Sequence, residues 1–88
     1  MPYSDYQFVG KKVYYLLDKS DSYVLKRCNL NGSKVETLGV FNKKKSQDFF
    51  NAHGFKGKSS EISYYKDHNY YTYKYTYKTK KLKLVEKI

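Results

Sequence analysis

Lysine and tyrosine carry most of the chemistry legible in this chain. Along YYTYKYTYK, residues 70–78, Tyr71, Tyr73, Tyr75 and Tyr77 share one face, and Thr72, Lys74, Thr76 and Lys78 share the other. A period of two over so many residues is the pattern of a strand. The four tyrosines admit two readings, a hydrophobic core or a platform on which bases stack. Further lysines crowd at Lys43-Lys44-Lys45 and between Lys78 and Lys83. Such crowding disfavours an isolated domain and favours a polyanionic partner.

Catalytic and metal chemistry finds little footing. Cys28, His53 and His68 are the only thiol and imidazole groups, with no C-x-x-C and no H-x-x-x-H spacing. No zinc site is expected from them. Cys28 falls in a strand-like run, where a lone cysteine acts as a small apolar side chain. His53 and His68 sit at an expected helix end and in a turn, where surface polar roles are the default. No glycine-rich phosphate loop is present, and no acidic pair has a spacing that suggests acid–base work. The expectation is therefore a protein that is not an enzyme, with no cofactor and no small-molecule substrate.

Composition agrees with a binding role. The chain has 88 residues, 18 Lys and Arg against 8 Asp and Glu, and a formal net charge of +10. Residues 43–88 hold twelve of the cations and four carboxylates, so the positive charge is concentrated in that half. Twelve Tyr and five Phe favour a packed structure over a disordered linker. No run approaches the ~20 apolar residues of a membrane helix, residues 1–20 lack the pattern of a secretory signal, and one cysteine cannot form an internal disulfide. These features point to a reducing compartment and to no membrane partner.

The elements that would hold these residues read as follows. Residues 1–10 show no period and form an arm. KVYYLLD (12–18), SYVLKRCNL (22–30) and SKVETLGVF (33–41) are strands, with Asn31-Gly32 as a two-residue hairpin turn. That turn pairs Arg27 with Glu36 and Leu25 with Leu38, placing Tyr23, Leu25, Leu38 and Val40 on one face. In NKKKSQDFFNAHGF (42–55), Ser46 as cap, Asp48 in the first turn and Gly54 at the end outline a short helix. After a loop at 55–60, EISYYK (61–66) and residues 70–78 form a second hairpin about the turn 67–69. Beyond it the apolar phase slips to Leu82 and Leu84, as a bulge near Thr79–Lys81 would produce. No internal repeat stands out. The expected fold is a single α+β domain over residues 1–88, a mostly antiparallel sheet of five or six strands with one short helix.

The order of features resembles a known family. YYLLDKSDSYVLKR, Tyr14 to Arg27, is similar to the opening of the eukaryote-specific large-subunit ribosomal protein family number twenty-eight. Tyr14, Leu16, Leu17, Ser22, Tyr23, Val24, Leu25, Lys26 and Arg27 fall in its pattern, with Tyr14 where the family usually has Trp. Phe50, Gly54, Phe55, Lys56, Lys58 and the hairpin at 61–81 look like its later parts, in a shortened form. The N-terminal part of the nucleolar assembly factor Mak-sixteen shares the pattern, including an alternating Tyr/Lys strand like Tyr73 to Thr79. The resemblance implies a structural component of the large ribosomal subunit, assembled in the nucleolus and working in the cytoplasm. Its partners would be large-subunit ribosomal RNA and neighbouring ribosomal proteins.

The residues expected to touch RNA are Lys11, Lys12, Lys26, Arg27, Lys43, Lys44, Lys45, Lys56, Lys58, Lys74, Lys78, Lys80, Lys81 and Lys83, with Arg27 alternatively held by Glu36. The rival expectation is a free-standing module of viral or plasmid type, either coating single-stranded nucleic acid through the Tyr face or inhibiting another protein.

Overall fold

The computed structural model describes residues 3–45 and 47–88, residues 3–5 by their backbone alone. Eight antiparallel strands form two four-stranded sheets, and the described residues contain no helix. In chain order the first sheet comprises β1 (Tyr3–Val9), β2 (Lys12–Asp18), β3 (Ser22–Asn29) and β4 (Glu36–Asn42). The second comprises β5 (Gln47–His53), β6 (Ser59–Lys66), β7 (Asn69–Thr76) and β8 (Lys81–Lys87). Each sheet is an up-and-down meander whose spatial order is its sequence order. The chain divides into two compact units, Met1–Lys43 and Lys44–Ile88.

The expectation of an α+β fold is thus corrected to all-β. The expected helix is strand β5. Phe50 and Ala52 alternate inward from it, while Asp48 and Asn51 flank a bulge at which Phe49 adopts a positive φ of 55°. The bulge breaks the period of two, and that broken period imitates a short helical one. Gly54 does end the element with a positive φ of 57°, but as the turn residue after a strand. The proposed cap, Ser46, lies outside the described residues.

The expected arm is strand β1, with Tyr6 opposite Tyr15 and Phe8 opposite Val13. The phase slip after Lys78 is a chain reversal. Lys80 N donates to Thr76 O at 2.9 Å, Lys80 takes a φ of 60°, and β8 then returns along β7. Lys78 therefore lies in a turn and does not share a strand face with Lys74.

In unit 1, β2 coincides with the expected KVYYLLD strand, and Arg27 does face Glu36. The hairpin loop holds three residues, Leu30-Asn31-Gly32. Gly32 N donates to Asn29 O at 2.8 Å, and Asn29 N donates to Ser33 O at 2.9 Å. Only Gly32 of the Asn-Gly pair has a positive φ, 86°, as in a type I turn closed by a glycine bulge. A second bulge, between Leu25 and Lys26, pairs Leu25 with Gly39 instead of Leu38. Val40 is thereby shifted to the opposite face, across from Val24, where it is exposed. Tyr14, Leu16, Leu25 and Leu38 are the buried residues of one face; Leu17, Val24 and Cys28 are buried on the other.

The last three strands of the two units, β2–β4 and β6–β8, repeat one register. Lys12 pairs with Asn29 and, 47 residues on, Ser59 pairs with Thr76. The bulge at Leu25/Lys26 recurs at Thr72/Tyr73, again 47 residues on. A positive-φ glycine follows the first strand of each unit, Gly10 after β1 and Gly54 after β5. The repeat escapes the sequence because residue types are not kept: Leu25 corresponds to Thr72, and Cys28 to Tyr75. Hydrogen-bond register depends on backbone, so it survives where side chains do not.

Candidate nucleic-acid interface

The lysines of unit 2 are sorted by strand register. The β5–β6 loop and the β7–β8 turn lie together at one end of the sheet, because Ser59 pairs with Thr76 and Tyr77 N donates to Lys58 O at 3.1 Å. The Tyr77 hydroxyl is shared between the carbonyls of Ser59, at 2.9 Å, and Lys56, at 3.0 Å. This buried ring pins the loop that carries Lys56 and Lys58 to the turn that carries Lys78 and Lys80. Lys81 opens β8 at the same end, opposite Thr76. Lys74 and Lys83 sit directly across from each other on one face, with Glu61 on the far side of Lys74. All seven of these lysines are exposed. Glu61 is the one carboxylate near them among the described residues, since Asp48, Asp67 and Glu86 lie toward the end marked by the β6–β7 turn.

Like charges directly opposite on a sheet repel, and an exposed pair is tolerated at a cost in stability. A phosphate between Lys74 and Lys83 would relieve that repulsion. The β7–β8 end, with seven lysines to one carboxylate, thus presents a strong positive field over one edge of a small sheet.

The remaining expected contacts are dispersed. Lys11 lies in the β1–β2 turn, and Lys12 Nζ donates to Asn29 Oδ1 at 3.1 Å. Lys26 stands on the opposite face of β3 from Arg27. Arg27 gives two hydrogen bonds to Glu36 and a third to the Tyr14 hydroxyl, 3.3 Å away. The hydrogen bonds to Glu36 hold the Arg27 guanidinium well above its ordinary pKa, and the same bonds hold the Glu36 carboxyl below its own. Of the two sequence expectations for Arg27, the structure supports capture by Glu36. Lys43 bonds the Asp18 carboxylate and lies 4.8 Å from the centre of the Tyr23 ring. The bond to Asp18 raises the Lys43 pKa. Lys44 and Lys45 are exposed and precede β5.

The tyrosine face is divided between two roles. Tyr75 and Tyr77 are buried, and desolvation raises the pKa of Tyr75. Tyr71 and Tyr73 are half-buried in a ladder with Tyr64 and Phe50. Tyr64 stacks on Phe50 at 6.1 Å between centroids and on Tyr73 at 5.7 Å, and its hydroxyl donates to that of Tyr73 at 3.2 Å. Burial, reinforced by that bond, drives the Tyr64 pKa up. Ring faces engaged with one another have less surface to offer a base. The core reading therefore holds for Tyr75 and Tyr77.

One arrangement went unread in the sequence. His53 Nε2 lies 2.8 Å from Ser63 Oγ, and His53 Nδ1 lies 3.4 Å from Glu61 Oε1. Ser63 Oγ is also 3.0 Å from Thr72 Oγ1. The order serine–imidazole–carboxylate is that of a nucleophilic triad. Ser63, however, is 0% exposed, so the chain of bonds ties β5, β6 and β7 together, running from the half-exposed His53 and Glu61 to the buried Ser63 and Thr72. No spacing rule would reveal it, because strand pairing alone brings residues 53, 61, 63 and 72 together. Among the described residues, no three His, Cys, Asp or Glu side chains gather as a metal site would require.

Comparison with protein-family models, with curated proteins and with solved structures finds no match to this chain.

Proposed function

We propose that this protein binds RNA, gripping the phosphate backbone with the lysine end of unit 2. The observation that carries this reading is the cluster of Lys56, Lys58, Lys74, Lys78, Lys80, Lys81 and Lys83, held together by Tyr77 and faced by the single carboxylate of Glu61. Lysine ammonium groups act as point charges on phosphates, so the binding is electrostatic and indifferent to base sequence. Counterion release supplies the affinity and makes it steeply salt-dependent.

A place in the large ribosomal subunit is the specific form of this proposal. Its support is the likeness of Tyr14–Arg27 to that ribosomal family. Sedimentation of the native protein through a sucrose gradient, with and without nuclease, tests both levels. Co-sedimentation with large subunits at moderate salt, abolished by nuclease, is expected. Binding to any single strand in proportion to its length would retain the RNA reading and remove the ribosomal one. Light fractions unaffected by nuclease would remove both.

A further inference from the structure

A pocket in unit 2 is lined by charges of both signs. Gly54, Lys56, Ser59, Ser60, Glu61 and Lys74 surround about 310 Å³. That volume lies at the lower end of small-ligand sites and exceeds what a phosphate alone fills. Ser59 and Glu61 are two apart on β6 and share a face, and Lys74 stands directly opposite Glu61 on β7. Lys56 N donates to Ser59 O at 2.8 Å, which closes the loop between them.

Glu61 and Lys74 are not joined. Opposite charges facing each other across a strand pair attract, and in unit 1 Arg27 and Glu36 do close to 2.9 Å. The Glu61 carboxylate turns toward β5 instead. Its Oε1 lies 3.4 Å from His53 Nδ1 and 3.4 Å from where a Cβ on Gly54 would stand, so the missing side chain of Gly54 gives it room. Among the described residues, no hydrogen bond reaches Glu61 Oε2, and no carboxylate pairs with the ammonium of Lys56 or Lys74. One acceptor and two cationic donors thus flank a single pocket without satisfying each other.

A phosphate suits the lysines and is repelled by the carboxylate. A ligand that suits both must carry an anion and, a few bonds away, a neutral hydrogen-bond donor. An RNA nucleotide has this combination in its 3′-phosphate and 2′-hydroxyl, on adjacent carbons of one sugar. DNA lacks the hydroxyl. Acidic side chains serve as acceptors for ribose hydroxyls in dinucleotide sites.

We propose that this pocket holds one ribose-phosphate unit of the bound strand, with Lys56 and Lys74 on the phosphate and Glu61 accepting from the 2′-hydroxyl, so that unit 2 selects RNA over DNA. The inference rests on the RNA-binding reading above and adds recognition of the sugar to it. Lysines alone cannot make that distinction, because both strands carry the same phosphates. Glu61 discriminates twice, by attracting the sugar with a donor and by repelling a strand that brings none.

Binding of the full chain, freed of nucleic acid by high salt, to oligouridine, oligodeoxyuridine and 2′-fluoro-oligouridine of equal length tests this. The 2′-fluoro strand keeps the sugar shape of RNA without the donor. Oligouridine is expected to bind about tenfold or more tighter than the other two, as a hydrogen bond to a charged group supplies. The factor should persist at every salt concentration, because the three strands carry equal charge. Glu61→Ala should abolish the preference and tighten the binding of oligodeoxyuridine. Glu86→Ala removes the same charge near the other end of the sheet, opposite Thr72, and should keep the preference. Circular dichroism checks that both variants fold. Equal wild-type affinity for the three strands overturns the inference and leaves the RNA-binding reading standing. So does a preference that Glu61→Ala retains, or a 2′-fluoro strand bound like oligouridine. Failure to bind any of the three removes the RNA-binding reading and the inference together.

Discussion

Arg27 and Glu36 face each other across β3 and β4 through two side-by-side hydrogen bonds, Nη2 to Oε2 at 2.9 Å and Nε to Oε1 at 3.2 Å. The pair occupies a guanidinium that would otherwise be free to contact phosphate. Glu36 is held below its ordinary pKa of 4.5 by the bond from Arg27. A lowered carboxyl pKa contributes stability that is present above the unfolded value and lost as pH falls through the folded one. Thermal melts should therefore show the wild type losing its advantage over Glu36→Gln below about pH 4.5. Above that pH the advantage should be no more than about 1 kcal/mol, because the carboxylate is half in solvent. Arg27→Gln should leave RNA affinity unchanged.

The lysine end of unit 2 should respond differently. Lys78→Glu combined with Lys81→Glu removes two candidate phosphate contacts. The slope of log affinity against log salt on single-stranded RNA should fall by roughly 1.4, at about 0.7 per contact. Filter binding at several salt concentrations measures this. A slope equal to that of the wild type would assign both side chains to solvent.

Tyr77 links stability to binding. Tyr77→Phe removes the hydroxyl shared by Lys56 O and Ser59 O and should cost about 1 kcal/mol in urea unfolding. The loop carrying Lys56 and Lys58 would loosen, so RNA affinity should drop while the far-ultraviolet spectrum is kept. Retained affinity would show that the hydroxyl does not position these lysines.

The tyrosines of β7 should separate by depth. Tyr75→Ala should cost roughly 3–5 kcal/mol, as for other aromatic truncations in cores. Tyr71→Ala, at a half-buried ring, should cost clearly less in the same denaturant titration.

Alkaline pH should destabilise the fold through Tyr64 and Tyr75. Burial raises both pKa values above the ordinary 10, so the folded state keeps protons that the unfolded chain gives up. Stability from this source is complete below pH 10 and declines as pH rises beyond it. Tyr64→Phe should flatten part of that decline in melts taken between neutral pH and pH 11. An unaltered alkaline profile would count against the burial of Tyr64.

The strands most legible in the sequence were those with an unbroken period and a clear turn. KVYYLLD is β2 over the same residues, and YYTYKYTYK overlaps β7 over residues 70–76. The hairpin glycine at 32 was visible, but the loop holds three residues, and the bulge at Leu25/Lys26 turned Val40 to the other face. Bulges leave no mark in residue type, because they answer to the twist and pairing of the neighbouring strand. The same limit hid β5, whose bulge at Phe49 imitated a helical phase. It also hid β1, whose mixed residues become a strand only by pairing with β2. At the candidate interface the lysine residues were all named, but not their grouping. Lys78 left the face of Lys74 when the chain reversed after Thr76, and Arg27 was withdrawn into its bond with Glu36.

From the sequence alone came the excess of positive charge, its bias toward residues 43–88, a glycine at the β3–β4 turn and the facing of Arg27 with Glu36. These follow from charge, local backbone preference and short-range period, which act within a few residues. Tertiary structure decided that the described residues form eight strands and no helix, that β2–β4 and β6–β8 share one register, and that seven lysines meet at one end of unit 2. Each of these depends on which strand lies beside which, a choice made by hydrogen bonding and burial between residues far apart in the chain.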